Sequence, residues 1–436
     1  MQETSIYLEK LNITKLNEIQ EKSLELFKKH NDLILLSPTG SGKTLAFLLP
    51  IIEFIKHESN TTIKALILVP SRELAMQIEQ VLKKMKLPLK VNSCYGGHSM
   101  RVERNNFETL PSILIGTPGR IVDHIKRENF TTNTIEVLVL DEFDKSLEFG
   151  FKAEMEFIIG QLYNLKKRFL TSATKMNEIP EFTGITDAIE LNFLQNSTPK
   201  INFKKVIATG NDKLEALFNL ICALENDSKL VFCNHREAVE RISNLLSEKN
   251  IIHEKFHGGM EQEDRELALL KFRNGSHNLL ITTDLASRGL DIPEIKYIVH
   301  YQLPTIENAF IHRNGRTARM KAEGTSFLVL SDTENVPEFI LENVETYELP
   351  EISQLPKNSD WITIYFGAGK KDKINKFDIV GLLIQKGQLL KHEIGIIDVY
   401  DFTAYVAIKR DKANSVLKLL KNETIKKRKV KIDISK

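Results

Sequence analysis

The chain is poor in cysteine, and its three thiols, Cys94, Cys222 and Cys233, are scattered without paired spacing. That excludes a disulfide framework and argues against a zinc site, since both need clustered ligands; Cys94 and Cys222 read as plain core residues. Long apolar runs are also missing. None approaches the roughly 18 to 20 residues of a membrane span, and the opening MQETSIYLEKLNITKL mixes polar and apolar residues where a signal peptide would carry an apolar block. A soluble, cytoplasmic protein is the expectation. Excess charge of one sign is absent too, at +2 over 436 residues, but the balance hides a division. From Asp360 onward there are 17 Lys and Arg against 9 Asp and Glu, so the tail carries +8 and the first 359 residues carry −6. A basic tail module points to a polyanionic partner, nucleic acid first, against the plainer reading of a solvated basic surface.

What is present is a repeated alternation. DLILLS (32–37), KALILVP (64–70), SILIGTP (112–118), EVLVLDE (136–142) and KRFLTSAT (167–174) are short apolar runs separated by amphipathic stretches such as SRELAMQIEQVLKKM. Continuously apolar strands between helices predict a parallel sheet covered on both faces. The pattern restarts with KLVFCN, HEKFHGG, NLLITTD, KYIVHYQLP and TSFLVLS, and the polar QNSTPKINFK (195–204) reads as the linker between two α/β domains. After a second break at 347–360, the order strand, helix, strand, strand, helix, strand is that of an RNA-recognition-motif sheet. The expected domains are 1–200, 206–348 and 359–436.

SPTGSGKT (37–44) lies between the first strand and a helical segment, the context of a P-loop. Gly40 and Gly42, with Ser41 between them, let backbone N–H groups close on phosphate oxygens. Lys43 supplies charge to the β/γ-phosphates, and the Thr44 hydroxyl can bind Mg²⁺. The opening position is Ser37 where a small Gly or Ala is usual. In such a fold the strand ending in Asp141-Glu142 places both acids at the carboxyl edge of the sheet, where ligands bind. Asp141 can then hold Mg²⁺ beside Thr44, and Glu142 can orient or deprotonate the attacking water.

P-loop, DEFD at 141–144 and SAT at 172–174 together resemble a DEAD-box RNA helicase of superfamily two, and the resemblance runs across nearly the whole chain: PSRELA (70–75), GG (96–97), TPGR (117–120), QEDR (262–265), TTDLASRGLD (282–291) and HRNGRTAR (312–319). The resemblance implies two RecA-like α/β domains and an RNA-dependent ATPase using ATP and Mg²⁺. Arg316 and Arg319 would be arginine fingers, and Asp291 would contact the ribose. Asp144, Ser172, Thr174 and His312 would couple nucleotide state to unwinding, with the two hydroxyls of SAT pairing with Asp144. Arg72, Gly97, Thr117, Arg120, Thr283 and Arg288 would grip RNA through its backbone, which carries little sequence information. Gln20 is placed like the glutamine that reads adenine, although Leu16 stands where the family has Pro; an ordinary helix-surface glutamine is the alternative.

The third residue of the box, usually Ala, is Phe143. It removes no catalytic group but is expected to crowd the packing near Ser172 and Thr174. The tail resembles the C-terminal RNA-binding domain of DbpA-type helicases, which implies a ribosomal RNA target in large-subunit assembly. Tyr365 and Tyr405 stand at stacking positions, Thr403 and Ile408 where aromatics are frequent, and Lys370, Lys371, Lys373 and Lys427 offer charge for RNA. The whole reads as an ATP-dependent RNA helicase with a monomeric core. An ATP-gated RNA clamp is the rival, and a DNA helicase is disfavoured by the tail and the motif set.

Overall fold

The computed structural model describes residues 7–55, 62–97, 100–176, 178–194, 201–210, 212–284, 295–317, 323–340, 344–351 and 354–435. The chain divides into two compact units, one within residues 1–200 and the other from Ile201 onward. The first holds a sheet of β1 (Asp32–Leu36), β2 (Ala65–Leu68), β3 (Val91–Cys94), β4 (Ile113–Gly116), β5 (Val137–Leu140), β6 (Lys167–Ser172) and β7 (Ile189–Asn192). Their order is β3-β4-β2-β5-β6-β1-β7, and every pairing is parallel. The apolar runs are continuous because both faces are buried. Leu33, Leu35, Ile67 and Val139 point into one core while Ile34, Leu36, Leu66 and Leu138 point into the other.

The second unit repeats the plan. Its strands β8 (Ile201–Ala208), β9 (Lys229–Cys233), β10 (Glu254–Phe256), β11 (Leu279–Thr283), β12 (Tyr297–His300), β13 (Gly324–Ser331) and β14 (Glu345–Thr346) take the order β10-β11-β9-β12-β13-β8-β14, again all parallel. Renumbered from one, this is the order of the first sheet. The segment 195–204 is not linker throughout: Ile201–Lys204 begin β8 and pair with β13. Their alternating polar residues, at a strand near the sheet edge, concealed them.

The tail forms β15 (Trp361–Phe366), β16 (Ile394–Val399), β17 (Ala404–Lys409) and β20 (Ile432–Ile434) in the antiparallel order β16-β17-β15-β20, with a small hairpin of β18 (Thr424–Ile425) and β19 (Arg428–Lys429). Register assigns its faces. The pairs Ile362↔Ile408, Ile364↔Val406 and Phe366↔Ala404 face the core, and the pairs Trp361↔Lys409, Thr363↔Ala407 and Tyr365↔Tyr405 face outward. Ile408, expected at a stacking position, is therefore a core residue.

Candidate nucleotide and RNA sites

The carboxyl edge of the first sheet carries two groups of residues side by side. Over β5, β6 and β1 lie Asp141, the Thr171–Thr174 turn and the P-loop; over β3, β4 and β2 lie Gly97, the Thr117–Arg120 turn and Arg72. In the first group Lys43 is buried, its Nζ donating to the Ser37 and Pro38 carbonyls at 2.6 and 2.9 Å. The Ser37 hydroxyl, the departure from the usual pattern, bonds that of Ser41 at 2.7 Å and so braces the loop. Asp141 accepts from the Thr171 hydroxyl at 2.5 Å and from the Glu142 amide at 3.1 Å. Burial pushes its carboxyl above the ordinary range, opposed by the Thr171 bond and the nearby Lys43 charge. Glu142 sits in the left-handed region (φ 47°), which turns the chain from β5 into the helix Phe143–Glu148.

Gln20 is not a helix-surface residue: it is 5% exposed and faces the P-loop. It forms a capping box with Asn17 at the start of the helix Glu18–Lys29, and its Nε2 reaches the Gly42 carbonyl at 3.4 Å, while Asn17 Nδ2 donates to Ser41 O at 2.9 Å. One N–H and one oxygen lone pair of the Gln20 amide remain for a base edge. Gly42 (φ +93°) makes this approach possible, since a Cβ there would lie 2.6 Å from Gln20 Nε2.

Phe143 is fully buried among the apolar side chains beneath the sheet and packs against Phe182 at 6.2 Å between ring centroids. In the neighbouring polar pair Thr174 Oγ1 donates to Asp144 Oδ2 at 2.8 Å. The Asp144–Thr174 bond is made with the Phe143 ring seated in the apolar cluster. Ser172 differs from expectation: its hydroxyl donates to the Thr174 carbonyl at 2.6 Å and accepts from the Thr174 amide at 3.1 Å.

In the second group, the Arg72 guanidinium lies over Gly96, where a Cβ would meet Nη2 at 3.2 Å, and Gly97 has φ +96°. Thr117 begins the helix Pro118–Lys126 without capping it by its hydroxyl. Arg120 Nε donates to Glu103 Oε2 at 2.7 Å. Glu103 also accepts from His124 Nε2 at 2.8 Å and the Tyr95 amide at 3.2 Å, and Asn129 Nδ2 donates to His124 Nδ1 at 2.9 Å. Cys94, Glu103 and His124 have ligand-type atoms within 4.8 Å of one another. Both His124 nitrogens and both Glu103 oxygens are already engaged, so the cluster is a hydrogen-bonded brace behind Arg120. Glu103 was not singled out in the sequence; its only signal is its place in the helix Met100–Asn106 that follows the two glycines.

In the second unit Thr283 ends β11, and His312 and Arg316 are buried at and after the helix Glu307–Asn314. Another residue not singled out dominates here. Arg313, 1% exposed, donates to both Asp284 oxygens at 2.6 Å, to Asn234 Oδ1 at 2.7 Å and to Gln302 O at 2.6 Å. One guanidinium thus ties the ends of β11, β9 and β12. Arg288, Asp291 and Arg319 lie outside the described residues.

In the tail Lys370, Lys371, Lys373 and Lys427 are exposed. Lys426, paired with Asp378 at 2.7 Å, and Arg428, paired with Asp372, bring the β18–β19 hairpin against the Lys370–Asp372 turn. The hairpin turn that carries Lys427 thus lies beside the segment that carries Lys370, Lys371 and Lys373.

Three family matches follow the chain in order: DEAD/DEAH box helicase over 17–182, helicase conserved C-terminal domain over 212–321, and DbpA RNA binding domain over 363–434. The ATP-dependent RNA helicase DbpA of Bacillus subtilis is 30% identical over 98% of this chain and 96% of its own length. This chain belongs to the DEAD-box ATP-dependent RNA helicases. The DEAD-box helicase RhpA of Helicobacter pylori is 31% identical over 77% of the chain and 70% of its own length. Among solved structures, Mss116p bound to ssRNA and AMP-PNP aligns over 80% of the chain and 78% of its own (TM-score 0.71, 26% identity), and Saccharomyces cerevisiae Dbp5 bound to RNA and ADP BeF3 over 76% and 88% (0.68, 26%). Both RecA-like sheets and the small antiparallel tail are those of a DEAD-box helicase with an added RNA-binding domain, so the protein is an RNA-dependent ATPase and helicase that uses ATP and binds RNA. Among the described residues, no helix is long and apolar enough to cross a membrane.

Proposed function

We propose that this helicase remodels structured ribosomal RNA during large-subunit assembly in the cytoplasm, working with a monomeric core and divided as 1–200, 206–348 and 359–436. The single observation that carries the reading is the basic surface of the tail. Lys370, Lys371, Lys373 and Lys427 are held together by two ion pairs on a domain that matches the DbpA RNA binding domain. Such a surface supplies affinity for a folded RNA that the backbone-gripping core lacks.

In the core, a hydroxyl and a carboxylate are donors suited to a hard divalent cation, so Thr44 and Asp141 would hold Mg²⁺, which lends charge stabilisation to the transferring phosphate. Gly40, Ser41, Gly42 and Lys43 bind phosphates, Gln20 meets adenine, and Glu142 positions water. Asp291 meets the ribose, and Arg316 and Arg319 supply positive charge to the γ-phosphate. Asp144, Thr174, Ser172 and His312 relay the nucleotide state, and Arg72, Gly97, Thr117, Arg120, Thr283 and Arg288 hold the RNA backbone. An intact Asp144–Thr174 bond next to a fully buried Phe143 favours unwinding over the clamp reading.

The test is ATP hydrolysis without RNA, with random RNA and with ribosomal RNA, beside duplex unwinding at the same salt, for the full chain and for a chain lacking 360–436. Stimulation by ribosomal RNA that disappears with the tail supports the reading. Equal stimulation by random RNA, or unchanged preference without the tail, refutes the target. Stimulation without unwinding reinstates the clamp.

A further inference from the structure

The outward face of the tail sheet is where an RNA-recognition motif stacks bases, yet two of its central positions are sealed. Thr363 is 2% exposed and Ala407 0%, although register turns both away from the tail's own core. What covers Thr363 is the corner of the second helicase domain between the helix Gln262–Arg273 and β11. Asn274 Nδ2 donates to Thr363 Oγ1 at 2.9 Å, and the Ser276 hydroxyl bonds the same oxygen at 2.7 Å, both buried. At the rim, Arg273 Nη2 pairs with Asp398 Oδ2 at 2.5 Å, and Arg410, on the tail, donates to Ser276 O at 3.2 Å while also holding the Ser359 and Trp361 carbonyls. Ser359 donates to the Gly275 carbonyl. Gly275 adopts the left-handed φ of +78° that this turn of the corner requires.

We propose that the sheet face of the tail serves as a docking surface for the Arg273–Ser276 corner and not as a base-stacking platform, so that the tail and the second helicase domain move as one body. Buried hydroxyl and amide groups that satisfy one another across a junction specify a single register, since any slip would strand them without partners. Of the two tyrosines left beside the junction, Tyr365 and Tyr405, the second lies within reach of acid on the covering helix. Burial raises the Tyr405 phenol, and the charges of Glu263 and Glu266, on the covering helix, raise it further. A polyanion stacked there would meet both carboxylates. This inference concerns how the tail is mounted and is independent of which RNA it selects.

The test uses full-length protein spin-labelled at Glu248→Cys, at the exposed end of the helix Arg236–Glu248, and Lys418→Cys, on the exposed face of the helix Ala413–Leu420. Electron–electron distance measurement is expected to give one narrow distribution with and without RNA. Thr363→Glu, at a side chain that faces away from the tail's own core, is expected to broaden it. Arg273→Glu alone should broaden it and Arg273→Glu with Asp398→Arg should narrow it again, which a misfolded variant would not do. A broad distribution in the unmodified protein, or a narrow one in Thr363→Glu, overturns the proposal. In parallel, Tyr365→Ala and Tyr405→Ala are expected to change RNA affinity less than two-fold. Losses of roughly ten-fold or more, the scale of a lost aromatic–base stack, would place RNA on this face and overturn it equally.

Discussion

At the residue scale, Phe143 shows how a position can depart from its family while the chemistry beside it stays intact. The helix after Glu142 sends successive side chains to different sides: residue 143 into the apolar layer with Phe182, and residue 144 to Thr174. Restoring the family residue should therefore harm the protein. Phe143→Ala is expected to cost about 3–5 kcal/mol, as large-to-small changes in filled cores do, and to lower the melting temperature of the first unit. Thr174→Ala should leave the core packed but remove the bond to a buried carboxylate, worth about 1.5–3 kcal/mol; the expected result is retained ATP hydrolysis with reduced unwinding, read by running both assays on one preparation. The motif spelling announced Asp144 and Thr174, but not where Phe143 would point or that Ser172 would turn back on its own strand. Those depend on helix phase after a left-handed residue, which no local pattern encodes.

Single elements are organised by what gathers at strand ends. The long apolar strands were readable because burial on both faces leaves a continuous run, whereas β3, β7 and the start of β8 were not, since flanking strands alternate polar and apolar residues like loops. The P-loop was likewise legible from spacing, but its brace was not: Asn17 and Gln20 reach it across more than 20 residues. Gly42→Ala is expected to weaken ATP binding at least about ten-fold, because the left-handed backbone disfavours a side chain and the Cβ would collide with Gln20; nucleotide titration checks it. Arg313 plays the corresponding part in the second sheet, and its partners come from three strands far apart in sequence. Arg313→Lys, which keeps the charge but loses the fork and its bonds to Asn234 and Gln302, should destabilise the second unit by about 1.5–3 kcal/mol, the scale of a lost charge-assisted hydrogen bond, measured by denaturant unfolding.

Across the whole molecule, the tail is more than an appendage that can be removed cleanly. Deleting 360–436 would uncover Asn274 and Ser276 at the Arg273–Ser276 corner, so the truncated chain is expected to melt a few degrees lower in its second helicase domain as well as bind RNA more weakly; differential scanning calorimetry separates the two effects. The matching strand orders of the two large sheets carry another consequence. In the first, the strand between β6 and β7 leads into SPTGSGKT; in the second, the equivalent β8 leads into TGNDKLE, which has no phosphate-cradling sequence. With the same strand order present twice and the cradle sequence after only one of the two equivalent strands, one nucleotide per chain is the expected stoichiometry.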